Sequence, residues 1–174
     1  MVVITFSGKA ESGKDSCTQL LCDMLTAQGK KCVVIHYADY LKFICEKYFG
    51  WDGKKDAHGR GLLQYIGTDL IRKKEPDFWL NVVINLLKVI EGQYDYALIP
   101  DARFPNEIKG MKNEFNTISV LVERTDYTNS LSSEQRLHVS ETALDGYQLD
   151  YTITSPTGLG NLRNAVHEFM LVHL

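Results

Sequence analysis

The segment Gly8-Lys9-Ala10-Glu11-Ser12-Gly13-Lys14 has the GxxxxGK spacing of a phosphate-cradling loop, the first half of the Walker A pattern. Glycine lets such a backbone curl into a nest of amide donors, a helix starting at the second glycine adds partial positive charge, and Lys14 can reach terminal phosphates. The bland alternative is a glycine-rich turn without a ligand. Where the pattern has Ser or Thr after the lysine, this chain has Asp15, with Ser16 one place later. Either can offer an oxygen to Mg²⁺, and Asp15 can equally cap the helix, so both readings stay open. Glu11 is unexpected in an anion-binding loop, and its side chain is expected to point to solvent.

A second constellation follows an apolar run at Ile99-Pro100-Asp101-Ala102-Arg103. An acidic residue at the end of a strand beside a phosphate-loop strand has the Walker B arrangement, so Asp101 is a candidate for Mg²⁺ or its water shell. Arg103 carries a planar fork suited to phosphate oxygens. Gln64, Thr68 and Arg72 recur every four residues and share one helical face, which can line an acceptor pocket or meet water. Arg124 and Arg136 are cations able to close on transferring phosphates, or else solvated charges. His138 invites a role as base, but a phosphate acceptor is already ionised, so His138-Val139-Ser140-Glu141 reads as local structure with Ser140 as a helix cap.

These residues need elements to hold them. Val2-Val3-Ile4-Thr5-Phe6-Ser7 is an apolar, β-branched run of the kind buried on both faces of a parallel sheet. Further strands are predicted over 31–36, 94–99, 117–122 and 151–154. Helices are predicted from Gly13 or Lys14 to about Gln28 and over 39–49, 59–74, 77–91, 106–113 and 159–172, with 50–58 a polar loop. The 39–49 helix has an apolar stripe at Leu41, Phe43, Ile44 and Tyr48. Strands alternating with helices imply an α/β fold, a five-stranded parallel sheet with helices on both faces in three layers. The polar stretch between the fourth and fifth strands, about 124–148, exceeds a minimal connection and reads as a lid.

With 174 residues, 44% hydrophobic and 24% charged, the chain fits one globular domain over 1–174. A net charge of −3 argues against nucleic acid as partner. No apolar run suits a membrane span, and Met1 leads directly into the first strand without the features of a signal peptide; the expected location is cytoplasmic. Cys17, Cys22, Cys32 and Cys45 form no CxxC pair and read as free thiols in apolar surroundings.

Taken together, Ser7-Gly8 through Gly13-Lys14-Asp15-Ser16, Leu63 to Ile71, Phe78-Trp79, Tyr94-Asp95-Tyr96, Pro100 to Arg103 and His138 to Glu141 resemble, in order, the segments of the phage-type deoxynucleoside monophosphate kinases, whose phosphate loop is likewise of GKD type. The resemblance covers most of the chain. It implies strand order 2-3-1-4-5, ATP and Mg²⁺ as cofactors, a small-molecule nucleotide acceptor, and transfer of the γ-phosphoryl group to a (deoxy)nucleoside monophosphate. It carries Lys14 over as the phosphate-cradling lysine, with Asp101 and Arg103 near metal and acceptor phosphate, and Arg72 on the acceptor side. Ala38-Asp39-Tyr40-Leu41-Lys42 is similar to the stretch bordering the monophosphate, which places Asp39 and Lys42 there and the acceptor region at about 38–92. Tyr37, Tyr40 and Phe43 would suit a base. A homodimer is left open. Similar motifs occur in dephospho-coenzyme A kinase and the animal type of phosphomevalonate kinase, and a nucleotide-binding protein without transfer is a third reading. No NKxD sequence follows the fourth strand, which sets GTP signalling aside.

Overall fold

The computed structural model describes residues 1–54 and 56–174; Lys55, in the loop expected over 50–58, lies outside the described residues. The elements run β1 (Val2–Ser7), α1 (Lys14–Ala27), β2 (Cys32–Val34), α2 (Ala38–Phe49), α3 (Ala57–Gln64), which continues as a π-helical stretch over Tyr65–Arg72, and α4 (Phe78–Ile90). They continue as β3 (Tyr96–Ile99), α5 (Pro105–Glu114), β4 (Asn116–Arg124), α6 (Ser133–Leu137), α7 (Val139–Thr142), β5 (Tyr151–Ser155) and α8 (Leu159–His173). Among the described residues the strands form one five-stranded sheet in the order β2-β3-β1-β4-β5, and every pairing is parallel.

β1 is central because its side chains are apolar on both faces. Successive residues of a strand point to opposite sides, so Val3 joins Ile99, Trp79, Val83, Leu87, Ile108 and Met111 under α4 and α5. Ile4 and Phe6 join Leu21, Leu25, Val120, Val166 and Phe169 under α1 and α8 on the other face. The expected three layers follow. α1 stops where Gly29 turns to φ 78°, allowing the amide of Lys30 to reach the carbonyl of Leu25 at 3.1 Å.

Three local expectations fail. The stripe of α2 is displaced: Cys45 is buried and Leu41 and Ile44 are partly so, whereas Phe43 is 50% exposed and Tyr48 69%. The apolar pattern of this helix does not all serve one core, because its inner face meets α3 and the π-helical stretch over a narrow strip. The loop at 50–58 is not simply polar either. Trp51 is buried with Cys45 and Ile66, its indole N–H donates to the carbonyl of Lys54 at 2.8 Å, and Asp56 caps α3 by accepting from the amide of Gly59 at 2.8 Å.

The helix expected over 59–74 widens into π geometry at Tyr65–Arg72. Here Gly67 lies so close to α2 that a Cβ would stand 2.7 Å from Leu41 Cδ2, and its carbonyl accepts from Trp79 Nε1 at 2.9 Å. Contacts with α2 and α4 therefore fix the backbone where the extra residue is absorbed. Such widened turns are frequent at functional sites.

Trp51→Ala should lower folding stability by about 3 kcal/mol, as large core truncations do. Urea unfolding measures it; a loss under about 0.5 kcal/mol would place Trp51 among ordinary surface residues.

Candidate functional site

The loop between β1 and α1 is built by close approach. At Gly8, with φ 145°, a Cβ would sit 2.4 Å from the carbonyl oxygen of Val122, and Gly13 has φ 95°. α1 starts as the amide of Cys17 donates to the carbonyl of Gly13 at 2.8 Å. Lys14 is only 8% exposed, and its ammonium folds back onto the carbonyls of Gly8 at 2.8 Å and Lys9 at 2.6 Å. Burial, then the charge of Arg103, push Lys14 down to about 8, against the opposing pull of Glu141, Asp15 and Asp101.

The N-cap position of α1 is Gly13, which has no side chain to cap the helix, and the Asp15 carboxylate faces His36 Nε2 at 3.4 Å. This contact raises His36 above its ordinary value, with Asp101 and Asp39 adding to the effect. Ser16 is exposed and lies outside the lining of both clefts described below.

Glu11 corrects the expectation that it points to solvent. It is the one non-glycine residue at positive φ (63°) among those described. Its carboxylate accepts from the Tyr127 hydroxyl, from the amide of Ser130 at 2.9 Å and from its hydroxyl at 2.6 Å, and Arg60 stands 3.7 Å away. These bonds, the Ser130 hydroxyl first, hold the carboxyl down at about 2. An acid in the phosphate loop thus ties the loop to the segment between β4 and β5 instead of facing an anion.

At the end of β3, the Asp101 carboxylate accepts from the amides of Tyr37 at 2.9 Å and Ala38 at 3.0 Å, docking the start of α2 onto the strand end. The Arg103 guanidinium bonds the carbonyl of Ser140 at 3.1 Å and pairs with the Glu141 carboxylate. Arg72 pairs with Glu107 and lies 3.9 Å over the Phe104 ring. Glu107, 1% exposed, also accepts from the amides of Arg103 at 2.7 Å and Phe104 at 3.1 Å. Burial pushes its carboxyl up, while the Arg72 guanidinium and the Arg103 amide favour the ionised form. One buried carboxylate thus fixes the side chain of Arg72 and the backbone of Arg103.

Two clefts open on this strand end. The first, about 590 Å³, brings together Lys14, Asp15, Lys42, Gln64, Thr68, Arg72, Asp101 and Arg103. Asp39 stays outside its lining, paired with Lys42 at 3.0 Å. Tyr37 lines it but Tyr40 and Phe43 do not; half-exposed, they stack on each other 6.0 Å apart, with Tyr40 also 6.4 Å from the rings of Phe78 and Trp79, and Trp79 and Phe104 are the further aromatic residues of the lining. The second cleft, about 760 Å³, lies over the ends of β1 and β4 and takes in Gly8, Lys9, Ser12, Arg124 and Arg136. Arg124 rests 4.5 Å over the Tyr127 ring, and Arg136 is held by Asn129 at 3.1 and 2.8 Å. These two arginines therefore stand apart from the Arg72 cluster, and Arg103 lines both clefts.

His138, not Ser140, caps α7: its ring accepts from the amide of Ser140 at 3.2 Å. Sequence reasoning missed Glu107, Arg60 and the part played by Glu141. Glu107 had a readable signal, a glutamate two residues after the proline that opens α5. Arg60 had none, because its neighbour Glu11 is distant in sequence.

The family model for deoxynucleotide monophosphate kinases matches residues 23–166, starting within α1, after the phosphate loop, and running through Arg72, Asp101 and Arg103 to α8. No curated protein matches. Among solved structures, the chain is similar to the Mycobacterium tuberculosis APS kinase in complex with AMPPNP and APS. The TM-score is 0.52 at 13% identity, over 97% of this chain and 96% of that one. An unliganded sugar kinase from Janibacter sp. HTCC2649 has a TM-score of 0.55 at 11% identity, over 99% and 95%. At such identities the likeness is one of fold.

Lys14 gives a pH signature. On its own in the loop, its ammonium loses its proton near pH 8. Phosphate oxygens favour the ammonium, so in a complex it titrates higher, and between the two values binding takes up a proton. ATP affinity should be flat below about pH 8 and fall above it by up to about tenfold per pH unit. Calorimetric titration from about pH 7.5 to about pH 9.5 checks this; an unchanged Kd across that window contradicts it.

Proposed function

The chain belongs to the deoxynucleotide monophosphate kinase family, and we propose that it transfers the γ-phosphoryl group of ATP to a (deoxy)nucleoside monophosphate. The observation that carries the choice of acceptor is the convergence of Lys14, Arg72 and Arg103 on one cleft that Leu41, Leu63, Trp79 and Phe104 also line, with Gln64 and Thr68 among them. Phosphate-seeking cations together with apolar and aromatic surface and a few polar groups in one cleft suit a nucleoside monophosphate.

In this reading the donor lies along the phosphate loop and into the second cleft, towards Arg124 and Arg136, and the acceptor lies in the first. The region 38–92 binds the acceptor, and 124–148 is the lid. An acceptor phosphate oxygen attacks the γ-phosphorus in line as the bond to the β,γ-bridging oxygen breaks and ADP leaves. The attacking oxygen is already ionised, so no side chain has to take a proton. Lys14, Arg103 and the loop amides spread the developing charge, and Arg72 fixes the acceptor phosphate.

The donor set fits Mg²⁺. The Lys14 ammonium feels both Asp15 and Asp101, so two carboxylates stand at the phosphate end of the cleft. Among the described residues no group of three or more His, Cys, Asp or Glu gathers to hold an ion unaided, and Mg²⁺ entering with a nucleotide needs only one or two protein oxygens. Asp15, directly or through water, and Asp101 would hold it, and Ser16 is the weaker candidate because it is exposed outside both clefts. Bound there, Mg²⁺ would neutralise charge on the phosphate oxygens.

ADP release should depend on a (deoxy)nucleoside monophosphate in a panel that also holds dephospho-coenzyme A, phosphomevalonate and no acceptor; stimulation only by one of the latter two overturns the choice of acceptor. Arg72→Lys keeps the charge beside Glu107 but loses the fork. It should raise the acceptor KM about tenfold and leave the ATP KM within about twofold, and the reverse split would move Arg72 to the donor side.

A further inference from the structure

The two clefts share a wall. Of the residues that line each, Ala10, Arg103, Ser140 and Glu141 line both. That wall is closed by an anion belonging to the protein. The Glu141 side chain, 7% exposed, accepts from the phosphate-loop amide of Ala10 at 3.1 Å and pairs with Arg103. A carboxylate held by a loop amide and a guanidinium has the surroundings of a bound phosphate oxygen. Lys9 reinforces the arrangement: its ammonium donates to the Glu141 carbonyl at 2.7 Å and pairs with Asp145.

Resting on the reading of the two clefts as donor and acceptor sites, we propose that Ala10 N–H and Arg103 form the seat of the ATP γ-phosphate, and that Glu141 is an internal place-holder expelled when nucleotide binds. The shared wall stands where donor and acceptor phosphates must meet, so it has to open for in-line transfer. A carboxylate left in place would face a polyanion at contact distance, a repulsion that grows as water leaves the site. In the empty protein the same carboxylate offsets the mutual repulsion of Lys14 and Arg103, each of which bears on the other. The segment that carries it is suited to leave. α7 is four residues long, its cap is a single histidine side chain, and its ties to the phosphate loop and to the turn after β3 are polar contacts of Lys9, Ala10 and Arg103. Departure of Glu141 releases Arg103 to the phosphate and leaves α7 without its ties to the phosphate loop.

The test is a calorimetric titration of the whole chain with AMPPNP, without acceptor. Gln at 141 can still accept from Ala10 N–H but carries no charge for Arg103. Glu141→Gln should bind AMPPNP about tenfold more tightly, as expected when a latch closed about nine-tenths of the time is released. Glu134→Gln, which removes an exposed charge from α6, should change the affinity less than about twofold. Unchanged or weaker binding by Glu141→Gln overturns the proposal, as does an equal gain from Glu134→Gln. Should Glu141→Gln not fold, hydrogen exchange on the unaltered protein decides. Amides of 139–143 should exchange faster once AMPPNP is added, and unchanged or slower exchange overturns the place-holder role. Acceptor-dependent ADP release by the unaltered protein tests the functional reading separately, so the two can fail independently.

Discussion

Like charges crowd the end of the sheet, and how they are kept apart from one another organises the site. Lys14, Arg72 and Arg103 line a single cleft, and two cations about 4 Å apart repel by about 4 kcal/mol at an effective dielectric of about 20. The protein answers with carboxylates placed individually. Glu107 holds Arg72, Glu141 holds Arg103, and Asp15 and Asp101 act on Lys14. Even so, burial wins at Lys14, whose ammonium is weakened until an anion arrives. Electrostatic strain of this kind makes the site receptive to phosphate.

The sheet order makes the crowding unavoidable. With β1 between β3 and β4, the phosphate loop, the Asp101–Arg103 turn and the residues after Arg124 all leave the same edge. α2 is pinned to that edge by the amides of Tyr37 and Ala38 on Asp101, and the π-helical stretch aims Thr68 and Arg72 into the same space. Glu11 does the corresponding work on the other side, joining the loop to Tyr127 and Ser130. α2 is thus fastened to the strand end beside the phosphate loop, while α3, through Arg60 on Glu11, and the segment between β4 and β5 are fastened to the loop itself.

Much of the fold was legible because β-branched runs and glycine stops are local signals: β1, its loop and α1 follow from spacing alone, and the strand order came with the family resemblance. Chemical position was legible too, since Lys14, Gln64, Thr68, Arg72, Asp101 and Arg103 do meet in one cleft. What escaped was set by tertiary contact. Trp51 reads as a loop residue until Cys45 and Ile66 are placed beside it. Tyr40 and Phe43 read as a base pocket, yet they are half-exposed outside the cleft lining, Tyr40 against Phe78 and Trp79. Glu11 reads as solvated because its hydrogen-bond partners Tyr127 and Ser130 are more than a hundred residues away. The π-helical widening has no periodic signature, since it arises from packing of Gly67 against Leu41 and Trp79.

The account rests on Lys14 as the cation that meets the transferred phosphoryl group. Its most direct test follows label from γ-³²P-ATP into nucleotide product with Lys14→Met, whose apolar side chain suits the buried position. Transfer should fall by about a thousandfold or more while thermal unfolding stays within a few degrees of the unaltered protein. Transfer at the original rate by a folded Lys14→Met would contradict the account.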